Sequence, residues 1–166
     1  MLSHYSKEVG KVFSLNYPTP PDNEHSPGGL WLSDDSDYGW YSFVMERWRN
    51  GDHGWGDGKE ILQYKYDFEI DPLQFHHVLK LSTPDALQEF TSYYQESAPR
   101  DCVVDGSIGF GLHIDWGRVK TDYMGILITP FQRELNRLGP KFHWYRFDCA
   151  SGCFWNIACL VQDTKS

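Results

Sequence analysis

No stretch of this chain approaches the ~20 consecutive apolar residues that a membrane-spanning helix needs. The opening Met1-Leu2-Ser3-His4-Tyr5-Ser6-Lys7 also lacks the apolar core of a secretory leader, so a cytoplasmic protein is expected. Positive charge is in short supply, with 15 Lys and Arg against 23 Asp and Glu and a net charge of -8. A polyanion is repelled by most of such a surface, which disfavours nucleic acid and anionic membranes and makes a basic macromolecular target the more natural partner. Cysteine is scarce: there are 4, with Cys149, Cys153 and Cys159 crowded near the end. They form no evenly spaced framework of the secreted kind, and reduced thiols are the simpler reading. His143, Cys149, Cys153 and Cys159 are of zinc-ligand type, but a Cys-x3-Cys spacing without a second pair does not make a zinc site, and no metal is expected. A glycine loop for phosphates, HExxH and GxSxG are all missing. A Cys149 nucleophile would need a histidine brought to it in space, and the default for such a thiol is burial.

Aromatic residues, by contrast, make up 16% of the chain, including 7 tryptophans. That ring surface suits either a cleft that stacks a planar ligand or an aromatic core. The 166 residues fit one domain, 1–166, able to bury roughly two thirds of the surface its unfolded form exposes. The last part of the chain draws attention first. Two aromatic-rich runs, Phe142–Phe147 and Phe154–Val161, read as buried strands around a turn at Ala150-Ser151-Gly152. Asp148 lies at that turn beside Phe147, Trp144 and Trp155. A carboxylate in such company must find hydrogen-bond partners or shift its pKa upward, which makes Asp148 either a functional group or the holder of its own turn.

The remainder reads as alternating short elements. Met1–Ser6 is a strand ending in His4-Tyr5-Ser6, a triplet that can hydrogen-bond ribose hydroxyls or an amide unless the terminus simply frays. Residues 17–29, rich in proline, are a surface loop. Leu30–Ser33 is a strand, followed by a helix that Ser36 or one of Asp34, Asp35 and Asp37 can cap, with those acids near the positive end of its dipole. Residues 50–58 form a loop. Ile61–Ile70 alternates Leu62, Tyr64, Tyr66, Phe68 and Ile70 with Gln63, Lys65, Asp67 and Glu69, the pattern of a strand with one wet face in a largely antiparallel sheet. Val78–Leu81 is a further strand, and Ser82-Thr83-Pro84 opens a helix carrying Leu87, Phe90 and Tyr94 on one face. Residues 97–113 read as a loop. Asp115 caps a helix that Gly125 closes, the apolar run Ile126–Ile128 follows, and Gln132–Gly139 is a polar excursion.

Four stretches carry a resemblance that spans nearly the whole chain: His4-Tyr5-Ser6; Gly28-Gly29-Leu30-Trp31-Leu32-Ser33 with Asp37-Tyr38-Gly39-Trp40; Asp122–Pro130; and Trp144–Asn156. Together they resemble a family of small bacterial and phage proteins whose layout is similar to the ADP-ribosyltransferase fold, which includes a phage anti-CRISPR protein. The resemblance implies an α+β domain with mainly antiparallel sheets flanking a cleft and a few short helices. It implies mono-ADP-ribosyl transfer to a macromolecular target, or cleavage of NAD, with NAD as the cofactor. His4, supported by Tyr5 and Ser6, would hold the ribose and carboxamide; Ser33 would match the hydroxyl of the second strand; Tyr38 or Trp40 would stack on nicotinamide. Asp148 would be the catalytic carboxylate, one methylene shorter than the Glu usual there and without its Gln-x-Glu or Glu-x-Glu setting. The alternative is a protein that only binds, an anti-defence inhibitor whose acidic loops occupy a basic surface.

Overall fold

A computed structural model describes residues 1–11, 13–14, 21–22, 26–52, 57–97, 103–104, 107–108, 112–132 and 147–163. The strands are β1 (Leu2–Ser6), β2 (Leu30–Ser33), β3 (Tyr64–Ile70), β4 (Val78–Leu81), β5 (Gln95–Ser97), β6 (Val103–Val104), β7 (Ser107–Ile108), β8 (Leu112–Ile114), β9 (Gly125–Ile128), β10 (Ser151–Phe154) and β11 (Leu160–Gln162). The helices are α1 (Trp40–Arg49), α2 (Gly58–Ile61), α3 (Pro84–Tyr94) and α4 (Trp116–Asp122). Seven strands form one sheet in the order β11-β3-β1-β2-β10-β9-β4, antiparallel at every pairing except β4 with β9. The α+β class and the largely antiparallel sheet therefore agree with expectation.

Side-chain alternation divides the core between the two faces of this sheet. Trp31, Cys153, Ile126, Ile128 and Leu81 look to one face, where Leu87 and Phe90 of α3 and Trp116 and Val119 of α4 cover them. Leu2, Leu30, Leu32, Phe68, Leu127 and Phe154 look to the other face and pack together with Cys159 and Phe13. The helix at Pro84 forms as its sequence dictates, with Thr83 accepting a hydrogen bond from the Ala86 amide and Leu87, Phe90 and Tyr94 buried. Asp115 caps α4 by accepting from the Arg118 amide at 2.9 Å.

Several local expectations are corrected. The stretch Ala150-Ser151-Gly152 is not a reversal. Ser151 and Gly152 begin β10, a strand held between β2 and β9, and a Cβ on Gly152 would lie 2.7 Å from the Ile126 carbonyl oxygen. Its smallness therefore serves strand packing. The run Phe154–Val161 is not one strand: Ile157–Cys159 is a 3-10 turn, after which β11 pairs with β3 on the far side of the sheet. Ile61 belongs to α2 rather than to β3. Gly125 opens β9 instead of ending α4. Pro27–Gly29, in the expected surface loop, is buried, with Cys153 Sγ 3.4 Å from the Pro27 carbonyl. The expected loop 97–113 contains β6 paired with β7, and β8 paired with β5. The remainder of that stretch, residues 53–56 of the 50–58 loop, Phe142–Arg146 and most of the Gln132–Gly139 excursion lie outside the described residues. In the sheet, β2 separates β1 from β10, and β3 separates it from β11.

Candidate functional site

The site grows from the end of β2. Register places Ser33 opposite Ser3 of β1 and opposite Ser151 of β10, so three buried hydroxyl residues lie side by side on one face. Beyond Ser33 the chain is tied to the approach of β10: the Asp34 amide donates to the Ala150 carbonyl at 2.8 Å and the Ala150 amide donates to the Tyr38 carbonyl at 2.7 Å. The segment Phe147–Ala150, and Asp148 within it, therefore runs against Asp34–Tyr38. That acidic loop also holds the chain after β9. The Thr129 hydroxyl donates to Asp34 at 2.7 Å, the Phe131 amide donates to Asp37 at 2.6 Å, and the Tyr38 ring stacks on Phe131 at 5.3 Å.

These bonds decide what the acids do. Burial of Asp34 alone would raise its pKa, but hydrogen bonds from Ser36 and Thr129 outweigh it and hold the carboxyl below its ordinary value. The expected helix cap is different in kind. Gly39 is the cap residue of α1 and makes no side-chain cap bond. The Trp40 amide instead donates to Ser33 Oγ at 2.6 Å, across the turn, because Asp34, Asp35 and Asp37 are engaged elsewhere.

The seven sequence-predicted residues fall into two groups. Ser33, Tyr38, Trp40 and the segment of Asp148 meet at the end of β2, and Tyr5 joins them by donating to Asp35 at 2.6 Å. Asp148 is half-buried. The strand alternation of β1 turns His4 and Ser6 the other way from Tyr5. His4 sits edge-on to Phe13 at 5.2 Å, and Ser6 Oγ accepts from the Glu8 amide at 3.0 Å. The triplet is no frayed terminus, since β1 is paired on both sides. The aromatic candidates already have ring partners: Tyr38 has Phe131, and Trp40 stacks on Phe43 at 5.3 Å. Tyr38 also donates a hydrogen bond to Glu46.

His4 Nδ1 lies 3.1 Å from the Trp31 carbonyl oxygen. A carbonyl only accepts, so Nδ1 carries the proton, and in the neutral ring Nε2 is left as an acceptor. Burial, helped by Lys11, holds the His4 pKa below 6.5 against the opposing bond to Trp31. The unfolded chain therefore takes up the proton first. This contribution to stability is present in full above about pH 6.5 and is lost as pH falls through the lower folded value. The expected observation is an imidazole NMR titration of His4 with its midpoint below 6.5; a midpoint at or above that value would refute the buried neutral ring.

The sequence suggested Asp35 only as a cap of the following helix and Lys65 and Asp67 only as wet-face residues of β3, not as members of this site. Asp35 accepts from Ser33 at 2.6 Å and from Tyr5, while Lys65 Nζ stands 3.9 Å from Asp35 and 3.2 Å from Asp67. Asp67 in turn accepts from Ser3 at 2.7 Å. The wet-face alternation of β3 was the available signal for Lys65 and Asp67, but nothing local tied them to β1 or to Asp35. The Cys149 thiol is pushed up to about 12, mainly by burial, with the Asp148 and Asp35 charges adding to it against a Ser151 hydrogen bond. It is protonated at neutral pH and unsuited to nucleophilic attack.

Compared with known proteins, the chain matches no family, no curated protein and no solved structure. Among the described residues, no group of His, Cys, Asp and Glu is placed to hold a metal ion, and no helix is long and apolar enough to cross a membrane. A small cavity of ≈ 10 Å³ between α1 and α2, lined by Phe43, Trp48 and Ile61 among others, has room for about one water. None of the sequence-predicted residues lines it.

Proposed function

We propose that the end of β2 is an NAD site and that the protein cleaves NAD, transferring the ADP-ribosyl group to a macromolecular target, with a basic protein surface the natural acceptor for a chain of net charge -8. The observation that carries this reading is the pair of backbone hydrogen bonds that fasten the Asp148 segment to Asp34–Tyr38, bringing a carboxylate-bearing segment beside a hydroxyl and two aromatic rings. NAD supplies a glycosidic bond whose breaking leaves positive charge on the ribose. The Asp148 carboxylate opposes that charge most strongly when it is fullest, which lowers the barrier rather than merely tightening binding. Tyr5 and Ser33 contribute polar groups on the same face, and Tyr38 or Trp40 contributes a flat wall. His4 lies on the opposite face of β1, packed against Phe13, and takes no part in this reading.

A second reading is favoured by the ring partners of Tyr38 and Trp40 and by the internal bonds of Ser33. In it, these side chains are structural and the acidic loop Asp34–Asp37 binds a basic partner without chemistry. Thermal melting separates the two. If NAD at about 1 mM exceeds its Kd a hundredfold, it stabilises the folded chain by about 2.7 kcal/mol, a rise in Tm of roughly 5–10 °C. No rise at any accessible NAD concentration would favour the binding protein.

A further inference from the structure

β11 ends the seven-stranded sheet and pairs with β3 on one side only. The Asp71 amide donates to the Cys159 carbonyl and the Asp163 amide to the Asp67 carbonyl, both at 2.9 Å. In an antiparallel pair the inward bonds recur at every second residue, so Cys159, Val161 and Asp163 turn their backbone groups to β3 while Leu160 and Gln162 turn theirs outward. Among the described residues no strand meets those outward N–H and C=O groups. The other end of the sheet is guarded: β4 carries the exposed Lys80, and the Gln132 side-chain amide donates to the Ser82 carbonyl at 3.1 Å. Leu160, Val161 and Gln162 bring neither charge nor proline to their edge, two of the devices that keep a further strand away.

Side chains directly opposite one another on paired strands share a face. Val161, 54% exposed, therefore stands beside the exposed Glu69. On the other face Leu160 stands beside Ile70, and both pack at the margin of the core around Phe68 and Cys159. Charge along this margin is mainly negative, with Asp67, Glu69, Asp71 and Asp163 against Lys65, and Lys65 already serves Asp67 at 3.2 Å. We propose that β11 is a docking edge that takes an extended segment of a partner protein as an added strand, and that this segment alternates apolar and basic residues. Its backbone meets the outward groups of Leu160 and Gln162, and an apolar side chain beside Leu160 extends the core margin. On the opposite face a lysine or arginine lays its stem across Val161 and brings its charge to Glu69. A second copy of this chain is the poorer occupant, because it would bring the same carboxylates to the same edge. The inference is independent of whether the protein cleaves NAD.

The probe is a capped heptapeptide of alternating valine and lysine, followed by backbone amide NMR and hydrogen exchange. In the free protein the Leu160 and Gln162 amides are expected to exchange at least about tenfold faster than the Val161 amide, and to slow by about tenfold or more when the peptide is bound. A valine-lysine peptide N-methylated along its backbone keeps the charge but loses its N–H donors, and is expected to bind at least about tenfold more weakly. Gln162→Pro removes one outward N–H without touching a bond to β3 and should weaken the unmethylated peptide similarly. Glu69→Lys should reverse the preference between this peptide and one of alternating valine and glutamate. Should Gln162→Pro fail to fold, the methylated peptide on the wild-type protein makes the same comparison. The proposal is overturned if Leu160 and Gln162 are as protected as Val161 in the free chain, if the valine-lysine peptide does not bind, or if methylation leaves its affinity unchanged. An unaltered preference in Glu69→Lys also overturns it, as does self-association in sedimentation that protects the same two amides, which would assign the edge to a second copy.

Discussion

If the proposed NAD reading holds, Asp148→Asn is expected to lower NAD turnover by about a hundredfold or more while the protein stays folded, the cost expected for one preorganised electrostatic group. The amide keeps the shape and most hydrogen bonds of the carboxylate and removes only the charge that opposes the positive ribose. If Asp148 serves only the local turn, replacement costs about 1 kcal/mol of stability and leaves activity per folded molecule unchanged. Melting temperature and nicotinamide release measured on the same samples distinguish these outcomes. Wild-type turnover that survives in the asparagine variant would remove Asp148 from the mechanism. No wild-type turnover with any acceptor would transfer the preference to the protein that only binds.

Phe154→Ala is expected to cost about 3–5 kcal/mol in urea or thermal unfolding, a large part of the 5–15 kcal/mol typical of a domain. The ring is fully buried in the cluster of Leu2, Leu30, Leu32, Phe68 and Leu127. It also occupies the space left by two glycines: a Cβ added to Gly125 would lie 2.5 Å from the ring, and one added to Gly152 2.9 Å from it. Gly125→Ala is therefore destabilising in the wild-type background and much less so alongside Phe154→Ala, a coupling that a double-mutant cycle reads directly. A loss below about 1 kcal/mol for Phe154→Ala, or strict additivity with Gly125→Ala, would show that the seam between β9 and β10 is not tightly packed.

The local elements were legible where a short-range rule governs them. Thr83-Pro84 with Leu87, Phe90 and Tyr94 gave α3, Asp115 gave the start of α4, the alternation around Phe68 gave β3, and Leu30–Ser33 and Ile126–Ile128 gave two central strands. Each depends on contacts within a few residues, so composition and period suffice. The end of the chain misled because aromatic content cannot distinguish a turn at Ala150-Ser151-Gly152 from the start of a short strand whose glycine admits its neighbours. What Gly152 faces, the Ile126 carbonyl, comes from a distant segment.

The candidate site divides the same way. Sequence by itself determined that a polar triplet lies on the first strand and that Ser33 ends the second. It could not determine that β2 lies between β1 and β10, which is what brings Ser33 and the Asp148 segment together and keeps β1 one strand away. Nor could it give Asp35 its three partners from β1, β2 and β3. Strand order and hydrogen bonding across strands are set by how all the apolar faces are buried at once, and a side chain acquires its partners only after that choice is made.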